Sequence, residues 1–165
     1  MAERLDAAAR RQRVHDVMDR MHEVLLAHDM MGFADLWAPD GVMEFPFAPP
    51  GHANLSGREE VREYVRSYAE HVELHRIRHQ TRHETADPDV MIVEWGVGGT
   101  ALATGRRYDI DYVGVIRVGE HGIVSYKDYW NPLAAGHALG SLPQIVEAIT
   151  EEKPVTAILS AQEQS

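Results

Sequence analysis

Apolar residues recur at three- and four-residue spacing through Val14, Val17, Met18, Met21, Val24 and Leu25, the stripe of a helix with one buried face. Asp29 predicts an N-cap for a second, short helix carrying Phe33, Leu36 and Trp37, stopped by a turn at Pro39–Gly41. Residues 42–47, VMEFPF, read as a strand that Pro46 confines to an edge or a strand end. After the loop APPGHANLS, Ser56 with Glu59 three residues on forms a capping box. It opens a helix with Val61, Tyr64, Val65, Tyr68 and Ala69 on one face.

From His75 the period becomes alternating. Four extended segments, at 75–85, 90–102, 107–118 and 123–130, are separated by ADPD, ATG and GEHG, turns suited to antiparallel connections. Asn131-Pro132 ends the last strand, and Pro143 starts a terminal helix. Helices first and a long meander afterwards give an α+β domain, and a sheet curving around the helices encloses a cone with a mouth. One domain over 1–165 is expected, with a core at 12–133 and an extension at 134–165.

Asp128 is the anomaly. It lies between Tyr126 and Trp130 in a strand where Val124, Tyr126, Asp128 and Trp130 share a face, opposite Ile123, Ser125, Lys127 and Tyr129. A buried carboxylate costs several kcal/mol unless paired, hydrogen-bonded or protonated. The neighbouring strands set Tyr112, Gly114 and Ile116 on one side, and Met91, Val93 and Trp95 together. Both faces are similarly apolar, so alternation alone does not select the inner one.

Composition narrows the function classes. The 165 residues carry a net charge of −10, which argues against nonspecific binding of nucleic acid. No run approaches the roughly 18 apolar residues of a membrane span, the first residues lack a secretory signal, and zero cysteines fit a cytoplasmic address. His71, His75, His79 and His83 recur every four residues. From His75 on, however, the segment alternates like a strand, placing His75, Ile77, His79, Thr81 and His83 on one face about 6.8 Å apart, too far to share one ion. No metal and no cofactor are expected. Arg76, Arg78 and Arg82 opposite form a solvated or inter-subunit face. Gly96, Gly98 and Gly99 sit in a strand pattern without a following helix, so they mark a bulge or bend, not a phosphate loop. Glu44 and Glu94 alternate outwards.

The layout FADLWAPDGVMEFPF, GREEVREYV, ETADPDVMIVEW and YVGVIRVGEHGIVSYKDYWNPL resembles the nuclear-transport-factor-2-like (NTF2-like, cystatin-like) superfamily over residues 12–133. This is the cone-shaped α+β fold of ketosteroid isomerases and SnoaL-like polyketide cyclases, with N-terminal helices packed in a curved antiparallel sheet. The tail NPLAAGHALGSLPQI, with ETADP and VEW, is similar to the phenazine-biosynthesis A/B proteins of that superfamily. The resemblance implies that Tyr126, Asp128 and Trp130 face the pocket and that Asp128 is a pocket acid or base. It also shows departures. Ketosteroid isomerases have their base where this chain has Phe45, their oxyanion Tyr at Met21 and their protonated Asp at Gly114. The phenazine-type helix His falls at Tyr64.

The expected catalytic set is therefore Asp128, with Tyr64 hydrogen-bonding a substrate oxygen and His79 as proton partner. Phe45, Met43, Tyr68, Trp95, Tyr112, Tyr126 and Trp130 are expected to line the substrate pocket. The expected function is cofactor-independent acid–base catalysis of secondary metabolism on an apolar or aromatic carbonyl compound, by isomerisation, cyclisation or condensation. The alternatives are a binding module that holds such a molecule without chemistry, and an assembly domain. A homodimer through the outer sheet face is expected, with neither nucleic acid nor membrane as partner.

Overall fold

The first helix, α1 (Ala7–Leu26), is capped by Asp6, whose carboxylate accepts from the Ala9 amide at 2.8 Å, and buries Val14, Met18, Met21, Val24 and Leu25. It belongs to a computed structural model of the chain that describes residues 6–66 and 68–151. Asp29 caps α2 (Met30–Ala34), accepting from the Gly32 amide at 2.8 Å. This helix is shorter than its sequence suggests, and Trp37 opens a strand instead.

That strand, β1 (Trp37–Glu44), runs through the segment expected to be a turn. Its pairing with β6 passes from Trp37↔Ile123 to Val42↔Ser125, so Pro39–Gly41 bulge out without ending the strand. A Cβ on Gly41 would stand 2.2 Å from the Ile123 carbonyl oxygen, which is why the bulge needs glycine there. Pro46 lies beyond the strand end. After β2 (Leu55–Ser56) and Gly57 (φ +89°), α3 (Arg58–Arg66) begins. The residue that reaches back to the Ser56 amide is Glu60, at 2.7 Å, not Glu59, which pairs with Arg62 at 2.5 Å. A short α4 (Tyr68–His71) leads into the meander β3 (Val72–Glu84), β4 (Val90–Ala101), β5 (Arg106–Gly119) and β6 (Gly122–Trp130).

The six strands form one curved, unclosed sheet in the order β2-β1-β6-β5-β4-β3. It is antiparallel except where β1 runs parallel to β6. Helix α1 packs across β3, β4 and β5, and α3 against α2 and β1. The closed end of the cone is solid core: Met18, Met21, Trp37, Ile116 and Ile123 are fully buried.

Two irregularities decide which side chains face inward. On β3 the register slips between Leu74 and Arg76 and again between Ile77 and His79. The ladder His75, Ile77, His79, Thr81 and His83 is therefore broken. Ile77 pairs with inward Val97, whereas His79, Thr81 and His83 are exposed. Arg82 turns inward, with its side chain only 17% exposed, and ties β3 to α1 through Asp19 at 2.6 Å. On β6 the slip opposite Arg117 and Val118 leaves Val124 as the extra residue. Ile123 is thus inward and fully buried, while Val124 is exposed.

The glycines of β4 add no bulge to their own strand, whose register with β5 is continuous; the bulges lie opposite, on β3. A Cβ on Gly98 would meet Asp109 Oδ1 at 2.6 Å, and one on Gly96 would meet both Asp111 and His79 at 2.6 Å. Their bareness lets outer-face side chains of β3 and β5 meet across β4, as in Arg76–Asp109 at 3.2 Å and Arg78–Asp111 at 3.0 Å.

Two helices follow the last strand. Asn131 caps α5 (Pro132–Leu139), accepting from the Leu133 and Ala134 amides at 3.0 and 3.2 Å, with Pro132 at the first helical position. Gly140, at φ +78°, closes it, and α6 (Leu142–Glu151) completes the described chain. Asn131-Pro132 thus starts a helix as well as ending a strand. Helix α5 packs on β4 and β5, and Thr104 Oγ1 anchors it by donating to the Ala138 carbonyl at 2.6 Å. Replacing Asn131 with Ala removes acceptors for two amides and is expected to cost about 1 kcal/mol, measured by urea unfolding. Asn131→Asp, which keeps the acceptor, is expected to stay near the native value.

Candidate functional site

Because β6 resumes strict alternation after its bulge, Tyr126, Asp128 and Trp130 point inward at the open end of the cone. There they border a cavity of about 150 Å³. Tyr112 from β5 and Trp95 from β4 stand beside them in register, Tyr112↔Trp130 and Trp95↔Tyr112. Helices α3 and α4 contribute Tyr64 and Tyr68, β1 contributes Met43, and α5 closes one side with Ala135, Ala138 and Leu139. The structure therefore brings together Asp128, Tyr64, Met43, Tyr68, Trp95, Tyr112, Tyr126 and Trp130.

Two expected residues are placed elsewhere. Phe45 is buried beside the cavity, not on its wall, packing on His52 and Tyr64 with ring centroids 4.5 and 5.4 Å apart. His79 is on the outer sheet face, half exposed and 3.6 Å from Asp111, because the second bulge of β3 reverses its direction. It cannot reach a proton handled by Asp128. The outer histidines pair separately with carboxylates, His75 with Glu73 at 3.3 Å and His83 with Glu94 at 3.2 Å. Among the described residues no group of three ligating side chains gathers.

Two polar wall residues, Tyr108 and His52, were not anticipated. Tyr108 follows from the alternation Tyr108, Ile110, Tyr112 and Gly114 on β5, extended two steps toward the start of the strand. His52 follows from no period, since it sits in the loop between β1 and β2. That loop is held by its own hydrogen bonds: Phe45 N donates to Asn54 Oδ1 at 3.1 Å, and His52 N to the Pro49 carbonyl at 3.2 Å. The His52 ring stands edge-on to Tyr64 and Trp130, with centroids 5.9 and 6.0 Å away.

The electrostatics follow from burial. Asp128 Oδ1 is buried without a hydrogen-bond partner, and no described lysine or arginine lines the cavity. Loss of hydration pushes the Asp128 carboxyl up to about 7, while interaction with the Tyr126 hydroxyl pulls the other way. Burial raises the Tyr68, Tyr112 and Tyr126 phenols well above their usual range and raises Tyr64 as well. These phenols stay protonated and act as hydrogen-bond donors, not bases. Burial also lowers His52, keeping its imidazole neutral. His22, stacked 5.4 Å from Trp95 and hydrogen-bonded to Gln80 at 2.7 Å, is driven down to about 4 by burial and by nearby Arg82.

Two of the positions where the resemblance implied departures from the ketosteroid isomerase pattern lie in close-packed surroundings. At Gly114 an added Cβ would lie 2.7 Å from Tyr126 Cε2, so the Tyr126 ring occupies the space a side chain there would need. Met21 is wholly buried in the core.

A family model for the SnoaL-like domain matches residues 18–126. An uncharacterised PhzA/B-like protein of Pseudomonas aeruginosa is 40% identical over 115 residues, covering 69% of this chain and 81% of that protein. A crystal structure of a phenazine biosynthesis-related protein from the same species superposes with a TM-score of 0.66 at 18% identity, covering 82% of this chain and 90% of that one. A protein of ketosteroid isomerase-like fold from Catenulispora acidiphila superposes with a TM-score of 0.62 at 16% identity, covering 76% and 92%. The matched span contains β1 through most of β6, the elements that build the cone, and by that measure the chain belongs to the SnoaL-like family of NTF2-like domains.

Proposed function

We propose that the cavity is the active site of a cofactor-independent acid–base enzyme of secondary metabolism, acting on an apolar or aromatic carbonyl compound by isomerisation, cyclisation or condensation. The observation that carries this reading is Asp128 Oδ1, buried and unpartnered on an aromatic wall. A carboxyl poised near 7 exists in both forms at neutral pH, so it can take a proton from carbon and return it elsewhere. Tyr64 supplies a protonated phenol to the same space, and the rings keep water from competing for the proton. Two copies pair through the outer sheet face in this reading.

A binding module without chemistry is the second reading. Its support is that Phe45, Met21 and Gly114 stand where the ketosteroid isomerases carry their catalytic groups.

The decisive measurement is the carboxyl-carbon NMR titration of Asp128, assigned with Asp128→Asn. A midpoint near 7 is expected, and one at or below 4 defeats the proton-transfer role. With a substrate in hand, Asp128→Asn is expected to lower turnover by ~10²–10⁴-fold; unchanged turnover selects a role for Asp128 in binding alone.

Stability carries the same signature. The folded value lies above the roughly 3.9 of an unfolded chain, so the native state binds the proton more tightly. This contribution is fully present below about pH 4, falls as pH rises, and levels off above about 7. The stability of Asp128→Asn relative to the native protein is therefore expected to grow by roughly 4 kcal/mol between those limits. Urea unfolding at a series of pH values measures it, and a difference independent of pH contradicts the burial of the charge.

A further inference from the structure

Asp128 shares the cavity wall with other unpartnered polar groups: Trp95 Nε1, His52 Nε2 and the Tyr108 hydroxyl are also buried there without partners. Those three are neutral. Asp128 is the one group on this wall that carries a full negative charge when ionised, and no described lysine or arginine lines it. Burial holds His52 uncharged as well. The counter-charge that a buried carboxylate requires therefore has no source within the wall. Asp128 nevertheless keeps accessible surface, and that surface opens on the cavity.

Rings border the same space. Tyr64 from α3, Tyr68 from α4, Tyr112 from β5 and Trp130 from β6 are each only partly buried, and each lines the cavity. Among the described residues, no ring contact joins any two of these four. Tyr64 instead packs on Phe45, Tyr112 on Trp95 and Trp130 on His52, with centroids 5.4, 5.5 and 6.0 Å apart. The four rings stand around an opening and do not close on one another. The face of each is the negative end of its quadrupole and attracts cations.

The rest of the wall restricts the kind of cation. A primary ammonium brings three N–H donors and a strongly held hydration shell. The apolar side chains of Leu25, Val65, Val97 and Ile110, which share the wall, replace neither. A methylated ammonium is weakly hydrated and packs as a hydrocarbon does. The volume of about 150 Å³ is that of an engineered apolar cavity that takes one benzene molecule, and a trimethylammonium group is of comparable size. The net charge of −10 also favours the approach of a cation.

We propose that the cavity is a recognition site for a methylated ammonium group, tertiary or quaternary, held with its charge against the Asp128 carboxylate and its methyl groups against Tyr64, Tyr68, Tyr112 and Trp130.

The site uses the ionised carboxylate and no proton transfer, so it goes beyond the acid–base reading and does not rest on it. Cation and proton compete for one carboxylate. Affinity therefore falls as pH drops through the Asp128 midpoint of about 7, and a bound cation lowers that midpoint. The other titratable groups on the wall do not share in this. Burial keeps the Tyr64, Tyr68, Tyr108, Tyr112 and Tyr126 phenols protonated and His52 neutral.

The test titrates three probes of one shape into the full chain: choline, its uncharged carbon isostere 3,3-dimethylbutan-1-ol, and the anion 3,3-dimethylbutanoate. At pH 8 choline is expected to bind about tenfold more tightly than the alcohol, and the anion more weakly than either. Between pH 8 and pH 6 choline affinity is expected to fall about tenfold while that of the alcohol stays constant. Asp128→Asn is expected to weaken choline about tenfold, to remove its pH dependence and to leave the alcohol within about threefold, which also reports a folded cavity. Tyr112→Leu is expected to weaken choline ~3–30-fold and the alcohol less. The choline methyl protons are expected to shift upfield on binding, as protons held over ring faces do.

Choline bound no more tightly than the alcohol, equal losses of both in Asp128→Asn, or a choline affinity indifferent to pH would overturn the recognition of charge. A methyl signal that does not move would overturn the ring cage, and absence of saturable choline binding would overturn the ligand class. The two readings fail separately. An Asp128 midpoint at or below 4 ends the proton-transfer role and leaves a carboxylate able to hold the cation, whereas a cavity that refuses choline leaves the Asp128 titration as it was.

Discussion

A carboxyl group enclosed by rings, with no described lysine or arginine on the same wall, sets the terms for the rest of this molecule. Left in water, Asp128 would be ionised at neutral pH. Inside the cone it is neutral or charged by a narrow margin, because desolvation works against the charge and only the Tyr126 hydroxyl supports it. Such a group survives in a folded protein only if stability is supplied elsewhere. Here it comes from the closed end of the cone, where Met18 and Met21 of α1 meet Ile116 and Ile123 without exposed surface. One end of a single sheet is packed core and the other borders the cavity, where Asp128 Oδ1 stands buried without a partner.

The same division explains the choice of wall residues. A cavity lined by aliphatic side chains would exclude water equally well, yet would leave the acid no neighbours able to share a proton or hydrogen-bond a substrate. Tyrosines solve both problems, since the ring faces are apolar and the hydroxyls remain donors at any ordinary pH. Tyr64, Tyr68, Tyr108, Tyr112 and Tyr126 all border the space. Where the ketosteroid isomerases bring in a second acid at Gly114, this chain has spent that room on the Tyr126 ring. Asp128 and the loop residue His52 are the polar wall residues that are neither phenols nor indoles.

Much of this was legible in the sequence because it rests on periodicity. The α1 stripe, the four long strands and the inward set Tyr112, Tyr126, Asp128, Trp130 and Trp95 follow from spacings of 3.6 and 2, once the family resemblance chose the inner face. What failed in the meander did so where a single extra residue enters a strand. Alternation carried His79 to the pocket and Arg82 to the surface. The bulges of β3 send His79 out and turn Arg82 in toward Asp19. The bulge at Val124 likewise reverses Ile123 and Val124. The glycines of β4 were read as a bulge or bend; the strand carries no bulge against β5, and the bulges lie on β3, the partner facing them.

His52 was hidden for a different reason. Loop residues have no period, and the loop that carries this one is held by two hydrogen bonds, Phe45 N to Asn54 Oδ1 and His52 N to the Pro49 carbonyl, that no spacing rule encodes. The sequence nevertheless contains a physical reason for a rigid loop at this place. Pro49 and Pro50 fix two backbone dihedrals, and Gly51 supplies the positive φ of 88° that turns the chain just before His52. A loop built this way has little conformational entropy left to lose, so the imidazole is held on the cavity wall without a secondary-structure element beneath it. Asp128 draws its position from a strand ladder and His52 from a stiffened turn.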